Sequence, residues 1–450
     1  MARAKKEAAL TPEERLQAAL VPDWEWPYKL PGNWCWTYLT KAAECLDNFR
    51  KPINATERAG RNGNVPYYGA TGQVGWIDDF LTDEDLVLLG EDGAPFLDLI
   101  KDKAYLITGK AWVNNHAHIL RSLFGDTGNR YLLHYLNSFN YAGYVNGTTR
   151  LKLTRASMDT IPIPLPPLAE QQRIVDRIES LFAKLDEAKE KAQAVVDSFE
   201  TRKAAILHKA FTGELTAKWR EEHGVRMESW EKHLLSTVSS LQTGLMKGKK
   251  YTGKTVELPY LRVANVQDGF LRLDEIKKID VEENAISRYS LAVGDVLFTE
   301  GGDFDKLGRG TVWEGQIKNC LHQNHIFVVR PNPEVLNPYF LSYQAGSRYG
   351  KAYFLSCSKQ TTNLASINST QLKNFPVLIP SMMEQEVIIR LLGSSLEKEQ
   401  QTKNIAESVL DQIDLMKKSI LARAFRGELG TNDPSEESAV ELLKEIIRRG

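Results

Sequence analysis

Apolar residues recur in residues 170–211 at alternating steps of four and three. This spacing places them in one stripe of an α-helix and is typical of a coiled-coil seam. The seam residues are Ile174, Ile178, Leu181, Leu185, Ala188, Ala192, Val195 and Phe199. Charged residues fill the positions between them, which favours a helix facing solvent or a partner over a helix buried in one large core. The pattern predicts a single helix of 42 residues, about 63 Å long at ~1.5 Å per residue.

A second stretch, residues 384–425, repeats this pattern with a polar centre. Its apolar stripe consists of Ile388, Leu392, Ala406, Val409, Ile413, Met416 and Ile420. Residues 161–215 align without a gap on residues 375–429, at a constant offset of 214 and with 19 identities in 55 pairs. A repeat of this length predicts duplicated structural units. We therefore expect the second helix to be a partner of the first.

Both long helices have marked ends. Prolines in residues 162–167 and 376–380 prevent a helix from starting earlier. Gly213 and Gly427 stand where a left-handed cap falls after the last turn. Short helices are predicted outside the repeat, at the capping box Thr11–Glu14 and after the similar Asp433–Glu436, over Ala439–Arg449.

The segments before the long helices predict mixed strand and helix. Leu258–Val266, Asp295–Thr299 and His325–Arg330 are strand-like, and Pro338–Ala345 is helix-like. The fold class is therefore α+β, with two mixed α/β globular units alternating with two long helices. The predicted segments are an N-terminal extension with a short helix (1–26), the first globular unit (27–160), the first long helical region (161–225), the second globular unit (226–374), the second long helical region (375–430) and a C-terminal helix (431–450).

Composition narrows the possible partners and compartment. The 57 basic and 58 acidic residues give a net charge of -1, so any nucleic-acid surface has to be local. The four cysteines lack zinc or redox spacing, which predicts a reducing compartment. The N-terminus has no secretory signal, and no apolar run reaches the ~18 residues that span a bilayer.

Three sequences carry a resemblance to a known family. Ile161–Val175 (IPIPLPPLAEQQRIV) opens the first long helix, Lys203–Arg220 (KAAILHKAFTGELTAKWR) closes it, and Ser419–Leu429 (SILARAFRGEL) closes the second. Over roughly residues 27–450 the chain resembles the specificity subunit of Type I restriction–modification enzymes. The resemblance is strong in the helices and weak in the globular units.

This resemblance implies a function and a set of partners. The globular units are expected to be target recognition domains that each read half of a bipartite duplex DNA site. The helices are expected to form an antiparallel coiled coil with an internal pseudo-twofold, to set half-site spacing, and to dock two methyltransferase (modification) subunits and, through them, restriction/translocase subunits. S-adenosylmethionine, ATP and Mg belong on those partners, with no cofactor on this chain. The implied location is the cytoplasm of a bacterium or archaeon, near the nucleoid.

Candidate DNA contacts are basic, amide and hydroxyl side chains in loops, because these groups reach phosphates and base edges. Two loops are rich in cations: Asn48–Gly63 and Thr243–Lys254. Solvated loops and turn caps are the alternative for all of these residues. In the first unit the candidates are Arg50, Lys51, Arg58, Arg61, Tyr68, Thr71, Asn115, His116, Thr148, Thr149 and Arg150. In the second unit they are Lys247, Lys249, Lys250, Arg262, Asn265, Lys306, Arg309, Asn324, His325, Lys359, Gln360, Thr361, Thr362 and Asn363.

No catalytic constellation stands out in the sequence. His116 and His118 have no sequence-adjacent carboxylate or cysteine cluster, so no metal site is expected. Asn337–Phe340 only approaches an amino-methyltransferase motif, and Gly301–Gly310 lacks the end of a phosphate loop. The chain is expected to be non-catalytic. The alternative to a DNA-specificity subunit is a coiled-coil scaffold that does not bind DNA.

Overall fold

The computed structural model describes residues 11–246, 248, 253–302, 307–360 and 365–449. These residues form two compact units. The first unit runs to Gln193 and resumes at Glu407, and the second runs from Ala194 to Ala406. Each long helical stretch therefore contributes to both units. No helix in the described ranges is long and apolar enough to cross a membrane.

Helices are numbered in chain order. They are α1 (Pro12–Ala19), α2 (Leu39–Ala42), α3 (Ala55–Ala59), α4 (Gly125–Ser138), α5 (Arg155–Asp159), α6 (Leu168–Asp197), α7 (Phe199–Phe211), α8 (Ala217–Glu222), α9 (Leu235–Val238), α10 (Ile286–Tyr289), α11 (Pro338–Gly346), α12 (Arg348–Cys357), α13 (Ser369–Lys373), α14 (Met382–Ala424) and α15 (Ala439–Arg449).

Strands are short and are also numbered in chain order. In the first unit they are β1 (Cys35–Tyr38), β2 (Ala43–Cys45), β3 (Val65–Gly69), β4 (Gly72–Ile77), β5 (Thr82–Asp83), β6 (Leu86–Gly90), β7 (Ala104–Ile107), β8 (Lys110–Val113), β9 (Ala117–Ser122), β10 (Val145–Asn146), β11 (Lys152–Leu153) and β12 (Pro162–Leu165). In the second unit they are β13 (Glu231–Leu234), β14 (Ser239–Thr243), β15 (Thr255–Leu261), β16 (Lys277–Glu282), β17 (Val296–Thr299), β18 (Gly301–Gly302), β19 (Gly310–Val312), β20 (Leu321–His322), β21 (Ile326–Pro331), β22 (Lys359–Gln360), β23 (Ala365–Ser366) and β24 (Pro376–Ile379).

The two units repeat one sheet topology. The strand order β2-β9-β6-β7 in the first unit recurs as β14-β21-β17-β19 in the second. A parallel pair also recurs, β3 with β8 and β15 with β20, and so does the antiparallel pair that joins the strand before each long helix to the start of its unit, β1 with β12 and β13 with β24. The amide of Glu91 donates to the carbonyl of His116 at 2.8 Å, as Glu300 does to His325 at 3.0 Å. The predicted internal repeat is confirmed at the level of backbone pairing.

Most predicted elements form where the sequence places them. The strand-like segments Asp295–Thr299 and His325–Arg330 coincide with β17 and β21 to within a residue, and the helix-like segment is α11. The segment Leu258–Val266 is only half correct, because β15 ends at Leu261 and Val263–Asn265 forms a 3-10 turn. The capping box at Thr11 is present, and Gly213 and Gly427 have φ values of 83° and 73°. At the C-terminus, α15 has the expected bounds. Its expected cap at Asp433 is not used, because Asp433 binds Ser435 and the hydroxyl of Ser438 accepts from the amide of Val440.

The first long helix is not a single element, which corrects the prediction of 42 continuous residues. It is interrupted for one residue at Ser198, between α6 and α7. The Ser198 hydroxyl donates to the carbonyl of Ala194 at 2.5 Å, and Arg202 donates to the carbonyl of Val195 at 3.2 Å. Side-chain bonds to helical carbonyls compete with the backbone ladder in this turn. The second long helix, α14, is continuous over 43 residues.

The two long helical stretches pair antiparallel within each unit. In the first unit Lys189 Nζ lies 2.8 Å from Asp414 Oδ1, and Asp186, earlier in the chain, pairs with Lys417. In the second unit Arg202 Nε lies 2.6 Å from Glu399 Oε2. The Lys403 ammonium lies 4.9 Å from the centre of the Phe199 ring. In both units residue numbers fall on one helix as they rise on the other.

Most seam residues are buried or half-buried, either in the helix pair or in the main core of a unit. The buried ones are Ile174, Ile178, Ala192, Phe199, Ile388, Leu392, Ala406 and Ile413. The half-buried ones are Leu181, Leu185, Ala188, Val195, Val409 and Ile420. Met416 is exposed, so its expected place in the seam is wrong.

Each unit has one main core that joins its sheet to the long helices. In the first unit Tyr131 packs edge-on against Phe425 at 5.3 Å between ring centres. In the second unit Phe340 packs in the same way against Phe211 at 5.4 Å. The aromatic residue of each closing motif is therefore an anchor of the sheet beside it, since both rings are buried.

A fully buried glutamate stands at the start of each long helix. Glu384 accepts from the Thr216 hydroxyl and from Arg220 Nη1, both at 2.7 Å, and from Trp230 Nε1 at 3.0 Å. Glu170 accepts from Thr431 at 2.7 Å. In each unit the segment that follows the end of one long helix binds the carboxylate that begins the other.

Glu170 has a more extended ion network. Arg173 donates to Glu170 Oε2 at 2.7 Å and to both carboxylate oxygens of Glu436 at 2.8 Å. Burial raises the pKa of Glu170, against the hydrogen bonds from Thr431 and Arg173. The loop before α15 is thus tied to α6.

We expect Arg220→Ala to destabilise the second unit strongly. It leaves the Glu384 carboxylate buried without its counter-ion, a change that costs about 3–5 kcal/mol in comparable sites. The measurement is the midpoint of thermal unfolding. Lys218→Ala is the matched control, because Lys218 lies on the same helix but is exposed. Equal midpoints for the two variants would contradict a stabilising role for the buried pair.

Because of the buried His322, we predict that the second unit loses stability in acid. Burial lowers its pKa to about 4 because the charged imidazolium is poorly solvated there. An unfolded histidine titrates near ~6.5, so the unfolded chain takes up the proton first and stability falls as the pH drops from about 6.5 to about 4. We expect His322→Gln to reduce this loss in thermal unfolding across that range. His208→Gln, at an exposed histidine of the same unit, should leave the pH dependence unchanged.

Candidate nucleic-acid interface

Loops of the first unit converge on a cleft of about 500 Å³. It gathers Arg58, Asn115 and His116, three residues that the sequence singled out. The same cleft is lined by residues that the sequence did not single out: Pro52, Ile53, Asn54, Glu57, Tyr67 and Asn114. Amides, an imidazole and a guanidinium facing one space are the groups that read base edges.

Arg58 is held in place by an aromatic ring. Its guanidinium lies 4.8 Å from the centre of the Tyr67 ring. Tyr67 is buried, and its hydroxyl accepts from the amide of Ile53 at 3.3 Å. No carboxylate of the described ranges forms an ion pair with Arg58. The stacked fork is therefore oriented while its N–H groups stay available.

Arg61 shows the contrasting arrangement three residues later. It stacks on Trp112 at 4.7 Å, but its Nε also donates to Asp78 at 2.7 Å. Lys51 is exposed and lies 5.7 Å from the centre of the same Trp112 ring. The segment Lys51–Arg61, predicted as a loop, contains α3. It presents one paired and two unpaired cations around two buried aromatic rings.

Arg50 is committed to an internal network, which corrects its assignment as a free DNA contact. It pairs with Glu91, lies 3.0 Å from Asp47, and donates to the carbonyl of Ala117 at 3.2 Å. Glu91 also binds Lys152 at 3.0 Å. Burial opposes ionisation of Asp47, but hydrogen bonds and charges on its partners hold its pKa below the usual range.

The polar turn at residues 146–150 reaches the same region. Asp92 binds Arg150 and lies 3.3 Å from His116 Nδ1. Thr148 and Thr149 are exposed beside Arg150. A single carboxylate therefore brings two predicted contacts together. The remaining candidates lie at the β3–β4 hairpin, where Tyr68 is half-buried and Thr71 is exposed.

The second unit presents a similar surface at equivalent positions. His325 is half-exposed and pairs with Glu300, while Asn324 is half-buried beside it. Lys359 and Gln360 are exposed on β22, which joins β18 through β23. Seven candidates lie outside the described residues: Lys247, Lys249, Lys250, Lys306, Thr361, Thr362 and Asn363.

Three further candidates of the second unit have internal partners. Asn265 is 3 % exposed, accepts from the amide of Arg262 at 2.8 Å, and donates to the carbonyl of Arg272 at 2.8 Å. It caps a turn, so its assignment as a base contact is corrected. Arg262 lies 3.4 Å from Glu275, and Arg309 donates to Gln267 at 2.9 Å.

One group of possible metal ligands lies together in the described part of the chain: Cys45, Asp47 and His118. The sequence did not reveal it, because Asp47 is distant from His118 along the chain. His118 Nδ1 lies 2.6 Å from Asp47 and Nε2 lies 3.0 Å from the carbonyl of Leu153. Burial raises the pKa of the Cys45 thiol to about 12. With both imidazole nitrogens bonded and the thiol protonated, the group suits internal hydrogen bonding.

Comparison with known proteins places these features in a family. The family model described as "Type I restriction modification DNA specificity domain" matches residues 46–196 and 227–409. The chain is similar to the Type I restriction enzyme EcoKI specificity subunit of Escherichia coli K12, with 27% identity over 70% of each chain. It is 24% identical to a putative Type I restriction enzyme specificity subunit of Haemophilus influenzae, over 79% of this chain and 85% of that one.

Solved structures share the fold. The HsdS subunit from Thermoanaerobacter tengcongensis has a TM-score of 0.54 and 18% identity, over 90% of this chain and all of that one. A chain from a structural study of complex assembly in a Type I restriction–modification system has a TM-score of 0.63 and 19% identity, with the same coverage.

The two matched blocks contain the repeated sheets, except for β2, and most of both long helices. They account for most of the chain, and none of the similarities favours a scaffold that does not bind DNA. The chain therefore belongs to the Type I restriction–modification DNA specificity family, as a specificity subunit with two DNA specificity domains.

Proposed function

We propose that each repeated unit reads one half of a bipartite duplex DNA site. The observation that carries this proposal is the repetition of one sheet topology with polar loops at equivalent positions, His116 in one unit and His325 in the other. A two-part DNA site is matched by two like reading units, as in dimeric DNA-binding proteins. In the first unit, the cleft with Arg58 and Asn115 is the reading surface.

The long helices set the half-site spacing and dock the partner subunits. α14 alone has 43 residues, about 64 Å at ~1.5 Å per residue. This compares with ~34 Å per turn of DNA, so such a helix has the length of nearly two helical turns. The partners are two methyltransferase (modification) subunits and, through them, restriction/translocase subunits.

The chain itself is non-catalytic. S-adenosylmethionine, and the ATP and Mg that restriction needs, bind to the partner subunits. The complex acts in the cytoplasm of a bacterium or archaeon, at the nucleoid.

Binding to duplex DNA tests the reading role. The chain is assembled with its modification subunits, and the dissociation constant is measured over a range of salt concentrations. Phosphate contacts release counter-ions, so affinity should fall steeply with salt, whereas a scaffold would show no such slope. Mapping methylated bases in a host genome, with and without the gene, then gives the two half-sites.

We expect Arg58→Ala to weaken binding to the cognate site by about 1–3 kcal/mol and to relax the sequence requirement at one position of one half-site. The reason is the loss of an oriented, unpaired guanidinium. Binding and methylation-site profiling are the measurements. Arg61→Ala is the matched control, because Arg61 is stacked in the same way but paired with Asp78. A larger loss of specificity in the Arg61 variant would refute the assignment.

The isolated chain should show neither magnesium-dependent cleavage of duplex DNA nor binding of S-adenosylmethionine. Incubation of the purified chain with plasmid DNA, and calorimetry with the methyl donor, measure these properties. Either activity in the purified chain would place catalysis on this subunit and overturn the non-catalytic assignment.

A further inference from the structure

The first unit contains a groove of about 860 Å³ that shares no lining residue with the cleft at Arg58. Its walls are the chain around Leu99–Leu106, the second half of α4, and the last turns of α14 together with Phe425 and Arg426, which follow that helix. Aromatic rings line its base, among them Tyr105, Phe182 and Phe425. The groove is thus built partly from a DNA-reading domain and partly from a long helix.

Two of the side chains that line this groove are apolar and exposed to solvent. Leu99 is 45 % exposed and Ile100 is 57 % exposed, and both line the groove. Adjacent exposed aliphatic side chains beside a cavity are typical of an interaction site, because soluble proteins rarely leave such patches uncovered. The main core of the unit does not use these two side chains.

The second unit shows what covers the corresponding place. Leu421 lines the groove and is half-buried, whereas Leu207, its equivalent at the offset of 214, is 5 % exposed. In the second unit α11 is followed by α12, which packs against α7. In the first unit α4 is followed by Phe139–Tyr144, which is not helical, and then by β10. A helix of the chain itself thus shields α7, and the matching part of α14 lacks such a helix.

The charged side chains that line the groove indicate what kind of partner would fit it. Lys189 and Lys417 line it but are paired with Asp414 and Asp186. Lys418 and Arg426 also line it and are exposed, and among the described residues neither forms an ion pair; Arg426 lies 5.3 Å from the centre of the Tyr28 ring. Asp102 also lines the groove, is exposed and forms no ion pair among the described residues. The groove therefore combines apolar side chains with two uncompensated cations, Lys418 and Arg426, and one uncompensated carboxylate, Asp102.

We propose that this groove receives a helix with an apolar face and acidic flanks from a partner protein. The inference rests on the proposed function, which makes a modification subunit the partner. This partner helix covers the end of α14 in the first unit, as α12 covers α7 in the second. It follows that the two units are unequal in partner binding, with the first unit holding its modification subunit through this additional contact.

Reconstitution with purified modification subunit tests the groove. Ile100→Glu and Lys418→Glu, both at exposed positions, are compared with the wild-type chain by titration and native mass spectrometry. We expect each variant to lose roughly tenfold or more in affinity for one of the two modification subunits, since each places a negative charge where an acidic, apolar helix would lie. The effect of Lys418→Glu should shrink as salt is raised.

Matched controls lie beside each substitution. Leu97 is as exposed as Ile100 and belongs to the same loop, and Arg423 lies one turn from Lys418 on α14, but neither lines the groove. Leu97→Glu and Arg423→Glu should assemble like the wild-type chain.

The other outcomes overturn the proposal. Unchanged assembly of both groove variants would exclude the partner helix. A loss of DNA affinity with assembly intact would assign the groove to nucleic acid, and a loss of self-association in the chain alone would assign it to a second copy. If the wild-type chain bound neither modification subunit nor DNA, the proposed function would fail, and this failure would be distinguishable because it does not depend on the variants.

Discussion

The buried glutamate at the start of each long helix is the contact on which each unit depends. A carboxylate without exposure to water needs several donors, and Glu384 receives them from Thr216, Arg220 and Trp230. Those donors come from the chain that follows the end of the other helix and from the start of the recognition domain. One ionic centre therefore fixes where both helices begin and end relative to their sheet. The aromatic contacts of Phe211 and Phe425 reinforce the same junctions with apolar packing.

The two repeated units share their backbone elements and differ in their surface loops. Sheet order and the parallel strand pair recur in both units, as do the short ladder before each helix and the left-handed glycine after it. The loops differ in length, in charge and in which helices they carry, with α12 present in one unit only. Frame residues are buried on several sides, so their chemistry is constrained. Loop residues face solvent and can vary, which is where a protein that distinguishes DNA sequences needs variation.

Ion pairing decides which basic residues remain available at the proposed DNA-reading surface. Arg50, Arg58 and Arg61 lie within twelve residues that include α3, but only the first and the last of them form ion pairs. Arg50 is neutralised by Glu91 and Asp47 and thereby ties its loop to the sheet. Arg58 is oriented by the Tyr67 ring alone. A loop with four basic residues can therefore present a specific pattern of free and paired cations, even in a chain whose net charge is -1.

Periodicity and turn chemistry in the sequence determined the long helices, their seam, their ends and the repeat, because each of these rests on local spacing along the chain. The interruption at Ser198 and the exposure of Met416 were not visible at that level, since they depend on side-chain hydrogen bonds and on which face meets the partner helix. The candidate cleft at Arg58 was likewise visible only in the tertiary structure. Asp47 and His118, or Arg58 and Asn115, are far apart in the chain, and only the pairing of strands brings them together. Only the structure shows that Asn265 caps a turn. Composition alone cannot distinguish an amide side chain that reads a base from one that bonds to backbone groups.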